Sequence, residues 1–236
     1  MVRSDVFVLY DDVQFDKHGW RNRNRIKTAN GTTWLTVPVR HTGLQGQLLS
    51  EVKIDNSKKW AHKLVKTVRQ AYARAAHREP YCAQLAEILA EPWENLLDLD
   101  SKIMGLMCSW LDVGTTVVRA SDLGIEGTRS GRLVEICRQF GAKRYLTGNA
   151  AEAYLDIKLF DKACIEVVWQ RYPHPSYRQL HGEFVPYLSA LDLVLNMGPE
   201  SPKVLRNQGR PFSAQAVAAS SAAAATDTSA IADGGG

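Results

Sequence analysis

The chain of 236 residues contains no run of about 18 apolar residues, and no basic start followed by an apolar stretch and a cleavage site. Neither a membrane-spanning helix nor a secretory leader is therefore expected, and the cytoplasm is the expected location. Only four cysteines occur, Cys82, Cys108, Cys137 and Cys164, far apart and without a CxxC pair. Three of them lie in apolar helix- or strand-like patterns, which predicts buried reduced thiols rather than zinc ligands or disulfides. There is no HExxH, and His174 and His181 stand seven apart, which matches no metal-ligand spacing, so no metal site is expected. The absence of GxxxxGK[ST], GxGxxG and GxSxG disfavours phosphate-loop kinases, Rossmann dehydrogenases and α/β-hydrolases. No motif names a cofactor. No serine or cysteine has an evident neighbouring base, so nothing argues for nucleophilic catalysis.

Strong charge of one sign is missing too. The net charge is +4, and the last 23 residues hold Asp227 and Asp233 and no base, so the remainder sets 29 basic side chains against 23 acidic ones. Such a mild excess favours small anionic molecules over a dedicated nucleic-acid binder. With 45% hydrophobic and 23% charged residues, the composition is that of an ordinary globular protein. The length suits one α/β domain, expected over residues 1–210, with a disordered Ala/Ser/Gly-rich tail over 211–236.

The chemistry that is present concentrates in Asp5 to Thr28, DVFVLYDDVQFDKHGWRNRNRIKT. Val6 to Tyr10 is a β-branched and aromatic run that predicts a strand enclosed on both faces of a sheet. Polar groups gather where it ends: Asp11, Asp12, Gln14, then Trp20, then the alternation Arg21, Asn22, Arg23, Asn24, Arg25. In open α/β sheets ligands bind beyond the carboxyl ends of strands, so Asp11 and Asp12 are candidates for acid/base work. Gln14, Trp20 and the Arg/Asn alternation are candidates for binding a polar anion, since guanidinium grips phosphate bidentately and amides both donate and accept. The alternative is a turn at Asp11 and Asp12 followed by a solvated strand face.

Further on, Asn30 and Gly31 signal a turn, with a second strand at residues 34–37, making a β-hairpin, and another short strand at 48–54. Asp55, Asn56 and Ser57 read as caps of an amphipathic helix over 58–76, whose outer face carries Lys58, Lys59, His62, Lys63, Lys66, Arg69 and Arg74. Pro80 and Pro92 suit the first turns of two more helices, so residues 58–111 form a helical insert. Strand 115–118, helix 131–140 with Gly141 as its end, and strand 144–147 alternate as a mainly parallel sheet flanked by helices requires. Gly148 and Asn149 turn the chain into a short helix at a strand end, a second candidate site. A strand at 165–169 precedes a proline-punctuated loop holding His174, a further catalytic candidate. A helix over 184–196 follows, with Val185, Leu188, Leu191 and Leu195 inward and Ser189, Asp192 and Asn196 on its surface. Asp192 there either faces the site or bonds a neighbouring helix.

YDDVQF, the tryptophan of HGW, RNRNRIKT, NG and WLTVPV, followed by YLTGNAAEAYLD, YRQL and FVPYLSALDLVLNMGPE, resemble the WbqC-like protein family. Those bacterial proteins are often associated with surface-polysaccharide and O-antigen loci. Within the resemblance Tyr154 and Asp156, the ends of YLD, join Gly148 and Asn149 as candidate sugar-binding residues. The family's usual opening, a strand and loop of the type HQPxYxPWLGYF ahead of the DVFVLYDD strand, has no counterpart here. The expectation is that either the natural start lies upstream of Met1 or this copy has lost that piece, with its His, Gln, Tyr and Trp side chains. The resemblance implies a transferase of surface-glycan biosynthesis acting on a nucleotide-linked sugar. The alternative is a non-catalytic protein whose basic helix engages an acidic carrier protein.

Overall fold

A computed structural model describes residues 1–16, 19–40, 43–44, 46–206 and 212–213. Its elements in chain order are β1 (Val6–Leu9), β2 (Arg23–Thr28), β3 (Gly31–Thr36), α1 (Trp60–Ala71), α2 (Arg78–Ala90), α3 (Leu96–Trp110), β4 (Thr116–Arg119), α4 (Arg129–Gln139), β5 (Arg144–Gly148), α5 (Ile157–Lys162), β6 (Glu166–Gln170), α6 (Ala190–Met197), α7 (Ser201–Arg206) and β7 (Phe212–Ser213). They form an α/β protein with helices beside short parallel strand pairs, a β-hairpin and a helical insert. The tail expected to be disordered lies, apart from β7, outside the described residues.

The chain divides into two compact units, Met1–Asp122 with His174–Asn207 and Leu123–Pro173 with Gln208–Gly236. In the first, β1 pairs in parallel with β4, Val6 opposite Thr116 and Leu9 opposite Arg119. All four residues of β1 are half-buried. The expectation of a fully enclosed strand is thus corrected: none of its residues is fully buried, and among the described residues β4 is the strand β1 pairs with. The hairpin β2–β3 puts Arg25 opposite Trp34 and closes at Thr28 and Gly31. Gly31, at φ +100°, supplies the left-handed backbone that ends the turn. Ile26 and Val37 of this hairpin join Val52, Ile54, Val68, Tyr72, Leu96, Leu99 and the Leu191–Leu195 stretch in one core.

Residues 48–54 do not make a strand. Leu49 and Ser50 donate their backbone N–H groups to the carbonyls of Val13 and Asp11, and the Leu48 N–H bonds Glu51 Oε2 at 2.8 Å. The segment folds as a 3-10 turn over Leu49–Glu51, because its donors satisfy the loop after β1 instead of a neighbouring strand.

The helix at 58–76 shortens to Trp60–Ala71, and Lys59 at its start offers no side-chain cap. Asp55 is occupied with Ser57 N and Oγ, and Asn56 with the Trp60 indole at 3.0 Å. Pro80 begins the regular part of α2, since Glu79 before it is non-helical. Pro92 falls outside α3, which is capped by Asn95 accepting from Leu97 N. The helix expected at 184–196 begins only at α6, where Ser189 accepts from Leu191 N. Pro186 and the positive φ of Tyr187 (+58°) keep the preceding residues out of it.

In the second unit β5 and β6 pair in parallel from Arg144–Glu166 to Gly148–Gln170, and β7 adds antiparallel to β6. Val134, Cys137, Phe160, Ile165, Val167 and Trp169 form its own core. Tyr145 stacks on Phe160 with centroids 5.0 Å apart. All four cysteines are free: Cys82 and Cys137 are buried and Cys108 half-buried, while Cys164 is exposed. It sits at φ +56° in the turn into β6.

Candidate functional site

The carboxyl ends of β1 and β4 meet at Asp11. Its side chain is 1% exposed and accepts from Ser121 twice, from N at 3.0 Å and from Oγ at 2.7 Å. Asp11 thereby ties the exit of one strand to the exit of the other, and both its oxygens are engaged. Asp12, next in the chain, is half-buried. Gln14 is exposed and its backbone bridges to Leu48.

Downstream, the Arg/Asn alternation is itself strand β2, and period-two geometry puts Arg23, Arg25 and Lys27 on one face. Cross-strand pairing brings Trp34 to that face, and Trp20 packs beside it with centroids 4.8 Å apart. The Arg23 guanidinium lies 4.5 Å from the Trp34 ring centroid. That of Arg25 lies 5.1 Å from Trp20 and 5.7 Å from Trp34. Trp20 and Trp34 are 55% and 42% exposed, so two guanidinium planes and two indoles form one open platform. Arg23 Nε also donates to Gly19 O at 3.0 Å, which fixes its plane. Asn22 Nδ2 donates to Val37 O at 2.9 Å and pins the open end of the hairpin. Asn24 Oδ1 accepts from Arg25 N. Asn22 Oδ1 and Arg25 Nε are buried atoms with no hydrogen-bond partner among the described residues.

Helix α3 adjoins the Asp11 turn. Asn95 donates to Ser50 O at 2.7 Å, and the Ser50 N–H in turn bonds the Asp11 carbonyl. One turn on, Asp98 pairs with Arg119 of β4 at 2.9 Å. Asp100 follows, a residue of the helical insert to which the sequence analysis gave no role. Burial pushes its carboxyl up to about 7, with Arg21 pulling the other way, so Asp100 titrates near neutrality and feels a member of the Arg/Asn stretch. The available signal was an acid set between Leu99 and Ile103 inside an apolar helix. Beside it, Leu9, Ser101, Met104, Cys108, Val117 and Arg119 line an open groove of about 380 Å³.

The far end of the β2 face is covered. Lys27, only 4% exposed, donates to Gln179 Oε1 at 3.4 Å, to Gly182 O at 3.2 Å and to Glu183 O. Asp192, expected on a helix surface, is 0% exposed. It bonds a neighbouring helix end, accepting from Tyr72 Oη at 2.5 Å and from Tyr177 Oη at 2.9 Å. Burial pushes the Asp192 carboxyl up, while the two phenols and Lys27 pull it down. Burial together with the Asp192 charge raises the Tyr72 phenol, so it stays a donor. His174 packs among aromatic rings, with centroids 5.1 Å from Tyr187, 5.7 Å from Phe184 and 6.3 Å from Tyr177, and its Nδ1 meets Pro175 O at 2.9 Å.

The remaining candidates belong to the second unit. Gly148 ends β5 and Asn149 opens the 3-10 turn Asn149–Ala153, both exposed. Tyr154 is 67% exposed. The Asp156 side chain caps α5 by accepting from Lys158 N at 3.1 Å, and its N–H donates to Ser130 Oγ at 2.9 Å.

The family profile of the WbqC-like protein family matches residues 1–204. The chain belongs to the WbqC-like protein family. It is also 38% identical over 204 residues to the uncharacterized protein Rv1507c of Mycobacterium tuberculosis (strain ATCC 25618 / H37Rv), covering 86% of this chain and 88% of the relative. No solved structure matches it. The matched span of this WbqC-like chain takes in the Asp11 to Arg25 stretch and the Tyr72–Asp192 core. None of its helices, among the described residues, is long and apolar enough to cross a membrane.

Proposed function

We propose that this WbqC-like protein is a cytoplasmic transferase of bacterial surface-glycan or sugar-modification biosynthesis, acting on a nucleotide-linked sugar. The observation that carries the proposal is the open platform of Arg23, Arg25, Trp20 and Trp34. Indole faces suit stacking of a nucleobase or a sugar ring, and guanidiniums held in fixed planes suit a diphosphate. In this reading Arg21, Arg23 and Arg25 hold phosphate and Asn24 orients a hydroxyl. Asp12 accepts the proton of a sugar hydroxyl or amino group while that atom bonds to the incoming group. The donor's leaving group departs with the electrons of the broken bond. Asp11 holds the strand ends in place around Asp12.

Thermal unfolding of the purified protein against nucleotide sugars, ATP, acyl-CoA thioesters and aminoacyl donors tests this. A ligand at 100 times its dissociation constant adds about 2.7 kcal/mol, a midpoint rise of several degrees. The expected result is a rise with a nucleotide sugar that disappears in Arg23→Ala. Nucleotide sugars that leave the midpoint unmoved would sink the reading.

A further inference from the structure

Helix α1 carries no acid. Its sequence, WAHKLVKTVRQA, puts lysine or arginine at every charged position. Lys59, His62, Lys63, Lys66, Arg69 and, just beyond the helix, Arg74 are all exposed. At 100° per residue, Lys59 to Arg69 fall within about a third of the helix circumference, a single stripe roughly 15 Å long. Lys58, before the helix, has Asp55 at 3.9 Å.

This arrangement works against the helix that bears it. Lys59 and Lys63 are like charges at i,i+4, and Lys63–Lys66 and Lys66–Arg69 are like charges at i,i+3, each pair unfavourable by some tenths of a kcal/mol. Lys58, Lys59 and Lys63 also crowd the amino end, where the helix dipole is positive and acids are favoured. No acid occupies the first turn, and the first residue lacks a side-chain cap. A face kept basic at a cost to its own helix is accounted for by what it meets.

The opposite face identifies the class of partner. Trp60, Val68 and Ala71 are buried, and Leu64 and Val65 pack on the same core. The helix therefore has no apolar side chains left to insert among lipid headgroups, as a membrane-surface helix requires. Nor does the stripe present an exposed aromatic on which bases could stack, since Trp60 and Tyr72 are both inside. We infer that the exposed basic stripe of α1 is a docking surface for an acidic protein face, one that offers Asp and Glu side chains at helical spacing. Charge complementarity along such a stripe steers encounter and sets orientation, and binding through it weakens with salt.

The test uses the full chain and three probes: a synthetic helical peptide with Glu at every third and fourth position, vesicles of phosphatidylcholine and phosphatidylglycerol, and a short DNA duplex. Fluorescence anisotropy of the labelled peptide at low salt should show saturable binding. Lys59→Glu, Lys63→Glu and Lys66→Glu combined should weaken it by about tenfold or more. The same variant should melt no lower than the native protein: the 59/63 and 63/66 pairs stay like-charged with reversed sign, but the pair with Arg69 becomes opposite in charge and acid stands at the amino end of α1. The milder Lys63→Gln with Lys66→Gln should weaken binding in the same direction and serves if the triple variant does not fold. An absent interaction with the peptide, equal binding by the native protein and the folded variants, or tighter binding to vesicles or DNA than to the peptide would overturn the inference. The stripe lies outside the residues assigned to sugar binding, so loss of peptide binding with an unchanged ligand-induced midpoint shift separates this surface from the site.

Discussion

Tyr72, the residue that ends α1, donates its hydroxyl to Asp192 on α6 across 2.5 Å. Tyr177 donates to the other carboxylate oxygen at 2.9 Å, and Asn196 Nδ2 donates to the Asp192 carbonyl at 2.7 Å. The segment that crosses Lys27 is thereby anchored at both the hairpin and the helices. Removing one phenol leaves a buried carboxylate oxygen with fewer donors. Tyr72→Phe should lower unfolding stability by about 1.5–3 kcal/mol, as expected for a hydrogen bond to a charged group. Urea unfolding of Tyr72→Phe, Tyr177→Phe and the pair should show a coupling between them; additive losses would mean the two phenols act independently.

Asp100 makes stability depend on pH in a direction opposite to that of a paired carboxylate. Its folded-state pKa, about 7, lies above the value of about 4 expected for an unfolded aspartate. Between those values the folded state binds the extra proton, so this contribution falls as pH rises from about 4 to 7, by at most about 4 kcal/mol. Asp100→Asn should flatten that slope and stabilise the protein at pH 8. A slope unchanged by the substitution would remove Asp100 as its source.

Asp11 and Asp12 should part company on substitution. Asp11→Ala removes the acceptor of both Ser121 N and Ser121 Oγ and should cost about 1–3 kcal/mol in denaturant unfolding, whatever it does to turnover. Asp12→Asn should abolish turnover of a nucleotide-sugar substrate and leave the unfolding midpoint close to native. Turnover at the native rate in Asp12→Asn would withdraw the base assignment.

Trp34→Ala removes the ring under Arg23 and Arg25. Each cation–π contact at an exposed site is worth about 0.5–1 kcal/mol, so the loss of fold stability should be small. The affinity for any ligand stacked on the platform should drop more, and titration followed by the fluorescence of Trp20 checks both. Equal affinity in the variant would place the ligand elsewhere.

Gly198 closes α6 at φ +53°, and a Cβ built there would stand 2.3 Å from the His77 ring. Gly198→Ala combines a left-handed backbone with a clash against a stiff imidazole and should destabilise by about 2–4 kcal/mol. Differential scanning calorimetry beside His77→Ala with Gly198→Ala separates the two causes: relief in the double variant measures the clash.

Much of this was written along the chain. The amphipathic period marked α1, the strand–helix–strand alternation marked α4 and the Asn30–Gly31 turn marked the hairpin, because local periodicity and turn chemistry act over a few neighbours. The Arg/Asn alternation already implied that Arg23 and Arg25 share a face. Other features depended on groups far apart in sequence. Trp34 reached the arginines through strand register. Asp192 went inside because Tyr72, 120 residues earlier, supplied the donor that makes a buried carboxylate tolerable. Residues 48–54 gave up a strand because the loop after β1 took their N–H groups, and Asp100 acquired its neutral pKa from burial that no helical pattern discloses. Hydrophobic spacing and turn residues are properties of the sequence by itself. Which polar group loses water, and which distant partner compensates it, was decided only when the chain packed.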